Sequence, residues 1–185
     1  MDDLSWFLKR FSKLGVRSVL DVGCGIGQYS ARFETYHAYL GIDITEDYIK
    51  RVASRTYLPG IIMDACRLNE HFVPDSFDAV LWFDSIEHLH KDEGLEALKA
   101  SISIARKCVG IFTPHGFLEQ TDNVWGGEAK DAQVHKSGWT GDDLVPLNFT
   151  EIETRKTHRK LHGEIEVMYA MWRDDQHYST NKEQG

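Results

Sequence analysis

The chain has 185 residues, 42% hydrophobic and 27% charged, and 21 Lys+Arg against 29 Asp+Glu leave a net charge of −8. A chain of this size and composition buries roughly two-thirds of its unfolded surface, which excludes a mainly disordered protein and fits one domain. The acidic balance argues against a general nucleic-acid binder while leaving room for a local basic groove. Apolar runs such as Phe77 to Phe83 are strand-sized, far short of the roughly 18 residues of a membrane span. Met1-Asp2-Asp3, followed by Lys9, Arg10 and Lys13, is unlike a secretory signal, so a cytoplasmic location and no membrane partner are expected. Cys24, Cys66 and Cys108 are odd in number and far apart, which fits neither a disulfide framework nor a four-cysteine zinc site.

Leu4, Phe7, Leu8, Phe11 and Leu14 fall at helical spacing, with Asp3 placed to cap the start and Gly15 to end it, so residues 1–15 read as a lead-in helix. Val16 to Val22 is a strand that stops at Gly23-Cys24-Gly25-Ile26-Gly27, and a helical stretch is expected from about Gln28. Ala38 to Ile42 is a second strand, followed by Asp43 and a helix capped by Thr45 that runs to about Arg55. Ile61 to Met63 is a third, ending at Asp64, and Phe77 to Phe83 is a fourth whose unbroken apolar character suits cover on both faces. A helix over Asp92 to Arg106 leads to a fifth strand, Cys108 to Thr113.

This alternation predicts an α/β sheet with parallel strands and right-handed crossovers. Residues 114–139 are polar, Gly-rich and dotted with His and Trp, too long for an ordinary connection and suited to a lid or substrate loop. Thr140 and Asp143 have capping-box spacing, and Phe149 to Thr154 and Glu164 to Trp172 predict two closing strands, the second antiparallel because the link between them is short. One domain over residues 1–172 is expected, with a disordered polar tail over 173–185.

A strand running into Gly23-x-Gly25-x-Gly27 lets a ligand lie against bare backbone. Asp43, 20 residues beyond Gly23 at the end of the second strand, stands where a carboxylate accepts from ribose hydroxyls. Asp64 ends the third strand, in reach of an adenine amine, and Asp21, Asp43 and Asp64 together line one edge of the sheet. Any one of these acids could instead merely cap a helix or turn. A dinucleotide oxidoreductase would want a third glycine where the chain has Ser30.

Val19-Leu20-Asp21-Val22-Gly23-Cys24-Gly25-Ile26-Gly27 resembles the first motif of class I S-adenosylmethionine-dependent methyltransferases, and Leu40-Gly41-Ile42-Asp43 resembles their second. Asp64-Ala65 is similar to the adenine-contacting pair, and Phe77 to Val80, Ile86-Glu87-His88-Leu89 and Thr113-Pro114-His115-Gly116 resemble segments of the small-molecule branch. The resemblance implies a Rossmann-like, seven-stranded, mostly parallel sheet with an antiparallel last strand and helices on both faces. It implies S-adenosylmethionine as cofactor, with Gly23, Gly25 and Gly27 around its methionine part, Asp43 on the ribose and Asp64 on the adenine. Asp21, Cys24, Ile44, Ala65 and Phe83 complete the expected cofactor contacts, with Cys24 and Cys66 as small fillers.

The acceptor should lie beyond the fourth and fifth strands. Asp84, Glu87 and His88, at i, i+3 and i+4, fall within an arc of roughly 100° if their turn is helical, so all three can converge. His115 and His135 come from the lid, while Trp125 and Trp139 are candidate walls for the acceptor, Trp139 being equally placed to staple the helix after Thr140. Each also has a plain structural role open to it, such as a backbone hydrogen bond for His88 or a Lys partner for Glu87. Asp84-x-x-Glu87-His88 followed by His135-x-x-x-Trp139-Thr140 is similar to the metal-binding arrangement of small-RNA terminal 2′-O-methyltransferases, with Asp84 in place of a Glu. The expectation is methyl transfer to oxygen or nitrogen of a small-molecule acceptor, with His88 or His135 as general base. The alternatives are a divalent ion held by Asp84, Glu87, His88 and His135, an RNA acceptor, and a non-catalytic cofactor-binding protein of the same fold.

Overall fold

The computed structural model describes residues 4–56, 58–121, 126, 130–159 and 161–174. Seven strands form one sheet: β1 (Ser18–Val22), β2 (Ala38–Asp43), β3 (Gly60–Ile62), β4 (Phe77–Phe83), β5 (Ala105–Pro114), β6 (Glu151–Arg159) and β7 (Gly163–Arg173). Their order is β3-β2-β1-β4-β5-β7-β6. The first five run parallel, with Leu20 opposite both Leu40 and Val80, whereas β7 lies antiparallel to β5 and to β6. The mostly parallel sheet with an antiparallel last strand is the one expected. The order reverses between β1 and β4, and a crevice opens at the carboxyl ends of strands at such a switch point.

Side chains of β4 divide by strand period. Val80 and Trp82 enter one core with Leu20 and Val22 of β1, and Ala79, Leu81 and Phe83 enter the other with Val19. The first core is closed by α4 (Lys91–Ile104), the second by α1 (Ser5–Leu14), whose Phe7 and Phe11 are fully buried. α1 ends at Gly15 in the left-handed conformation, φ 60°, as its sequence predicts. The residue before it is Leu4 with no side-chain cap, and Asp3, the expected cap, lies outside the described residues.

The helix expected from about Gln28 is a single 3₁₀ turn, Ser30–Phe33, preceded by turns. Only Gly23 to His37 separate β1 from β2, and three glycines at positive φ use up the first part of that link. α2 (Glu46–Thr56) follows β2 as expected, and β5 begins at Ala105, earlier than its apolar pattern suggested. α3 (Leu68–His71) and α5 (Gly141–Leu144) are single turns; α5 begins at the predicted box, where the Thr140 amide donates to Asp143 Oδ2 at 2.7 Å. The tail over 175–185 and Trp125 lie outside the described residues.

Trp139 is fully buried, with its indole N–H donating to Ser137 Oγ at 2.9 Å and the Lys91 ammonium 4.0 Å from its ring centroid. It is therefore a core residue and not a wall of the acceptor space. Its packing leaves no room at Gly94 on α4, where a Cβ would stand 2.6 Å from Trp139 Cζ2. Gly94→Ala consequently lowers stability by about 2 kcal/mol, despite Ala's better helix propensity, because overpacking outweighs it. Urea unfolding measures the difference.

Candidate active site

β1 turns sharply at Gly23, which has φ 71° and leaves no space for a side chain: a Cβ would lie 2.5 Å from Ser85 Cβ. Ser85 belongs to the segment after β4 and donates to the Val22 carbonyl at 2.8 Å, so the two central strand ends are laced together. The glycine turn and the ends of β2 and β4 enclose a cavity of about 360 Å³, within the ~300–1,000 Å³ usual for small-molecule sites.

Asp21, Gly23, Cys24, Gly25, Asp43 and Ile44 line the cavity, as do Asp64, Ala65 and Phe83. Gly27, expected beside them, is not among the lining residues; it has φ 76°, with Ser30 Oγ 2.7 Å from where its Cβ would be. Asp43 Oδ2 accepts from the Gly25 amide at 3.0 Å and Oδ1 from the Thr45 amide at 2.8 Å, so this carboxylate ties the glycine turn to the end of β2. Burial raises its pKa, and these two bonds partly offset the rise. Asp64 accepts from the Cys66 amide at 2.9 Å, which caps a turn while leaving the residue on the cavity wall. Cys66 itself is exposed.

Asp21 is wholly buried, accepts from the Tyr39 hydroxyl at 2.8 Å, and has its pKa pushed up to about 6, chiefly by loss of solvation. Folding thus raises this carboxyl above its unfolded value of 3.8. The native state binds the extra proton between those two values, so Asp21 costs nothing below pH 3.8, destabilises progressively up to about pH 6, and keeps a constant cost above it. Asp21→Asn is expected to stabilise the unliganded protein at pH 8 by on the order of 2 kcal/mol, the gain vanishing below pH 4. Thermal unfolding at the two pH values reads this directly.

Behind the cavity the chain brings Glu87, His88 and His135 together, with one ligand-type atom from each all within 4.8 Å of one another. The imidazole rings of His88 and His135 meet edge to face at 4.9 Å. His88 Nδ1 lies 3.2 Å from the Val134 carbonyl and His135 Nδ1 lies 2.6 Å from the Leu118 carbonyl. A carbonyl only accepts, so both Nδ1 atoms carry the proton and both Nε2 atoms keep a lone pair. Burial lowers the pKa of His88 and takes that of His135 down to about 4, which makes both rings neutral at pH 7. Glu87 is buried, accepts from Thr113 Oγ1 at 2.9 Å, and is pushed upward first by burial and then by the Asp84 charge. His88 also lines the cavity and so joins the two compartments.

Two expected members are placed elsewhere. Asp84 has φ 48°, so it does not continue the helical arc of Glu87 and His88; its carboxylate is gripped by Arg159 at 2.8 and 3.0 Å and accepts from Tyr29 at 3.1 Å. It lines the cavity but stands outside the three-residue cluster. His115 Nδ1 lies 2.8 Å from Glu166 and is not among the residues lining the cavity. Sequence reasoning overlooked Tyr29, Arg159 and Tyr39. Arg159 is 75 residues from Asp84 and no local spacing announces the pair.

The segment over residues 130–138 borders the same cavity. Lys136 and Ser137 donate their amides to the Glu87 carbonyl at 2.9 and 3.1 Å, and Asp131, Gln133 and Lys136 add to the lining.

An α/β sheet of this order, with a glycine turn at β1 and acids at the ends of β1 and β2, is built to hold a nucleoside-bearing cofactor. Residues 19–107 match the family model described as a methyltransferase domain. The fold is shared with a SAM-dependent methyltransferase from Archaeoglobus fulgidus, at 17% identity over 92% of this chain and 93% of that one, with a TM-score of 0.68. It is shared with the N-methyltransferase NodS from Bradyrhizobium japonicum WM9, at 14% identity over 94% and 99% and a TM-score of 0.63. The methyltransferase domain of bacterial CtHen1-CN aligns at 15% identity over 91% and 96%, with a TM-score of 0.63. Comparison with curated proteins gives no match. The match to a methyltransferase domain spans just under half of the chain, and the fold as a whole is the one shared with SAM-dependent methyltransferases.

Proposed function

We propose that the enzyme transfers a methyl group to an oxygen or nitrogen of a small-molecule acceptor seated against His88 and His135. S-adenosylmethionine supplies the electrophilic methyl. The protein's own part is to hold the acceptor in line and to take its proton. The observation that carries this reading is the pair of neutral imidazoles, each with Nδ1 committed to a carbonyl and Nε2 left basic, beside the cofactor cavity that His88 lines. His88 Nε2 is the base of choice because His88 alone of the pair lines the cavity. Asp43 and Asp64 are suited to the ribose and adenine, and Asp21 to the cationic end of the methionine. A lid folded over a cavity of this size, in a chain of net charge −8, suits a compact acceptor better than a nucleic acid. Three free thiols, with no helix of the described residues long and apolar enough to cross a membrane, accord with work in the cytosol.

Metabolite profiling with isotopically labelled methyl cofactor should reveal one or a few small labelled products. Tight, salt-sensitive binding to RNA in a filter assay, with label appearing in RNA, would overturn the choice of acceptor.

A second reading is favoured by the cluster itself. One carboxylate and two imidazoles converging within 4.8 Å suit a divalent ion such as Mg, Mn, Fe or Zn, which Glu87, His88 and His135 would hold without Asp84. There it would orient the acceptor and lower the pKa of its hydroxyl.

A further inference from the structure

A basic groove of about 290 Å³ lies between α1 and the closing strands, lined by Lys9, Arg10, Lys13, Leu14, Glu151 and Arg173. It sits at the opposite end of the sheet from the cofactor cavity. Arg173 is paired in register with Cys108, near the start of β5, and α1 ends at Gly15, whose carbonyl accepts from Lys107 at 2.6 Å. The cofactor cavity, by contrast, gathers at the carboxyl ends of β1, β2 and β4. The lining carries four cations and one carboxylate in a chain that is acidic as a whole.

Arg10 is held rigid. Its guanidinium carbon lies 3.5 Å from the Trp6 ring centroid, Nε donates to Glu151 Oε2 at 2.6 Å, and Nη1 donates to the Trp6 carbonyl at 3.0 Å. Trp6 is in turn fixed through its indole N–H to Glu153 at 2.7 Å. The other Glu151 oxygen lies 3.0 Å from Arg173 Nε, so the one carboxylate in the groove already serves two arginines. Arg10 Nη2 and the ammonium groups of Lys9 and Lys13 have no hydrogen-bond or ion-pair partner among the described residues. Lys9 and Lys13 are one helical turn apart, on the same side of α1 as Arg10. A guanidinium locked by stacking and two bonds, with mobile ammoniums on either side, is an arrangement that grips the oxygens of a phosphate group.

We infer that this groove is a binding site for a small phosphate-bearing anion, separate from the methyl-transfer site. The ligand is of the phosphate-ester or pyrophosphate class, with the phosphate oxygens on Arg10, Lys9 and Lys13.

Calorimetric titration of the full chain with inorganic pyrophosphate at low salt, with cofactor binding measured alongside, tests the inference. Saturable binding at millimolar concentration or tighter is expected. Lys9→Glu/Lys13→Glu should weaken it by at least about tenfold while leaving cofactor affinity unchanged. If the double variant loses cofactor binding as well, Lys13→Gln alone is used, with a smaller loss of pyrophosphate binding expected. No saturable binding to the wild-type chain, or equal binding by the variants, would overturn the site. Adenosine monophosphate binding at the same residues would support the ester form of the ligand. A single-stranded oligonucleotide that binds far more tightly than pyrophosphate, with a steep salt dependence, would overturn the small-anion assignment in favour of a nucleic-acid surface.

Discussion

Replacing Asp43 by Ala is expected to weaken S-adenosylmethionine binding at least about 100-fold, a loss of about 3 kcal/mol. Two effects combine at this residue. Its carboxylate is the acceptor we propose for the ribose hydroxyls, and it also accepts from the amides of Gly25 and Thr45. Those bonds hold the glycine turn against the end of β2, so their loss loosens the wall of the cavity as well as removing a contact. Asp43→Asn retains one carbonyl oxygen as an acceptor and should fall between the two. Calorimetry with the cofactor and its demethylated product measures both variants, and thermal unfolding separates loss of binding from loss of fold. Unchanged affinity in Asp43→Ala, or tight nicotinamide dinucleotide binding by the wild type, would contradict this assignment of the cavity.

His88→Ala is expected to lower kcat by about 10²–10⁴-fold, the usual contribution of a positioned proton acceptor. The pH profile follows from the direction of the shift. His88 is held below the ordinary imidazole value of 6.5 by burial, so the base stays unprotonated and kcat stays level down past pH 6.5 before falling in acid. Dialysis against EDTA distinguishes the two mechanisms. Activity that survives it, together with collapse in His88→Ala, supports proton transfer alone; activity that disappears and returns with one divalent ion supports the ion-assisted site. Glu87→Gln gives an independent answer. Burial raises the Glu87 pKa and favours its neutral form, so Gln is a close mimic in the metal-free mechanism and costs little turnover. An ion at the site would need the negative carboxylate, and the same substitution would then abolish activity.

The part of the cofactor cavity legible in the sequence was the part made by local chain geometry. A glycine turn directly after a strand, and single acids at the ends of neighbouring parallel strands, are forced to one edge of the sheet once the α/β alternation is recognised. Gly23, Asp43 and Asp64 could be placed in that way from spacing and strand ends alone. Gly27 shows the limit of spacing: it continues the glycine pattern, yet it lies beside Ser30 Oγ and is not among the residues lining the cavity. Trp139 was ambiguous for a similar reason: its segment reads as a loop, yet the ring fills the space opposite Gly94 in the core.

The cluster of Glu87, His88 and His135 shows where local spacing stops being informative. Glu87 and His88 stay together because they share one turn, but Asp84 takes a positive φ and swings to Arg159 across the sheet, a partner supplied by the far end of β6. His135 reaches the cluster because the Lys136 and Ser137 amides bond to the Glu87 carbonyl, while His115 is drawn to Glu166 on the neighbouring strand. The sequence by itself determined the alternation of strands and helices, the cofactor edge and the class of chemistry, since these rest on periodicity and on residues within a turn of one another. Tertiary structure alone decided which of five acidic and imidazole side chains meet, and which nitrogen of each histidine is basic. Those outcomes depend on carbonyls and counter-charges tens of residues away, brought near only when the strands pair and the Lys136–Ser137 segment packs on the Glu87 turn.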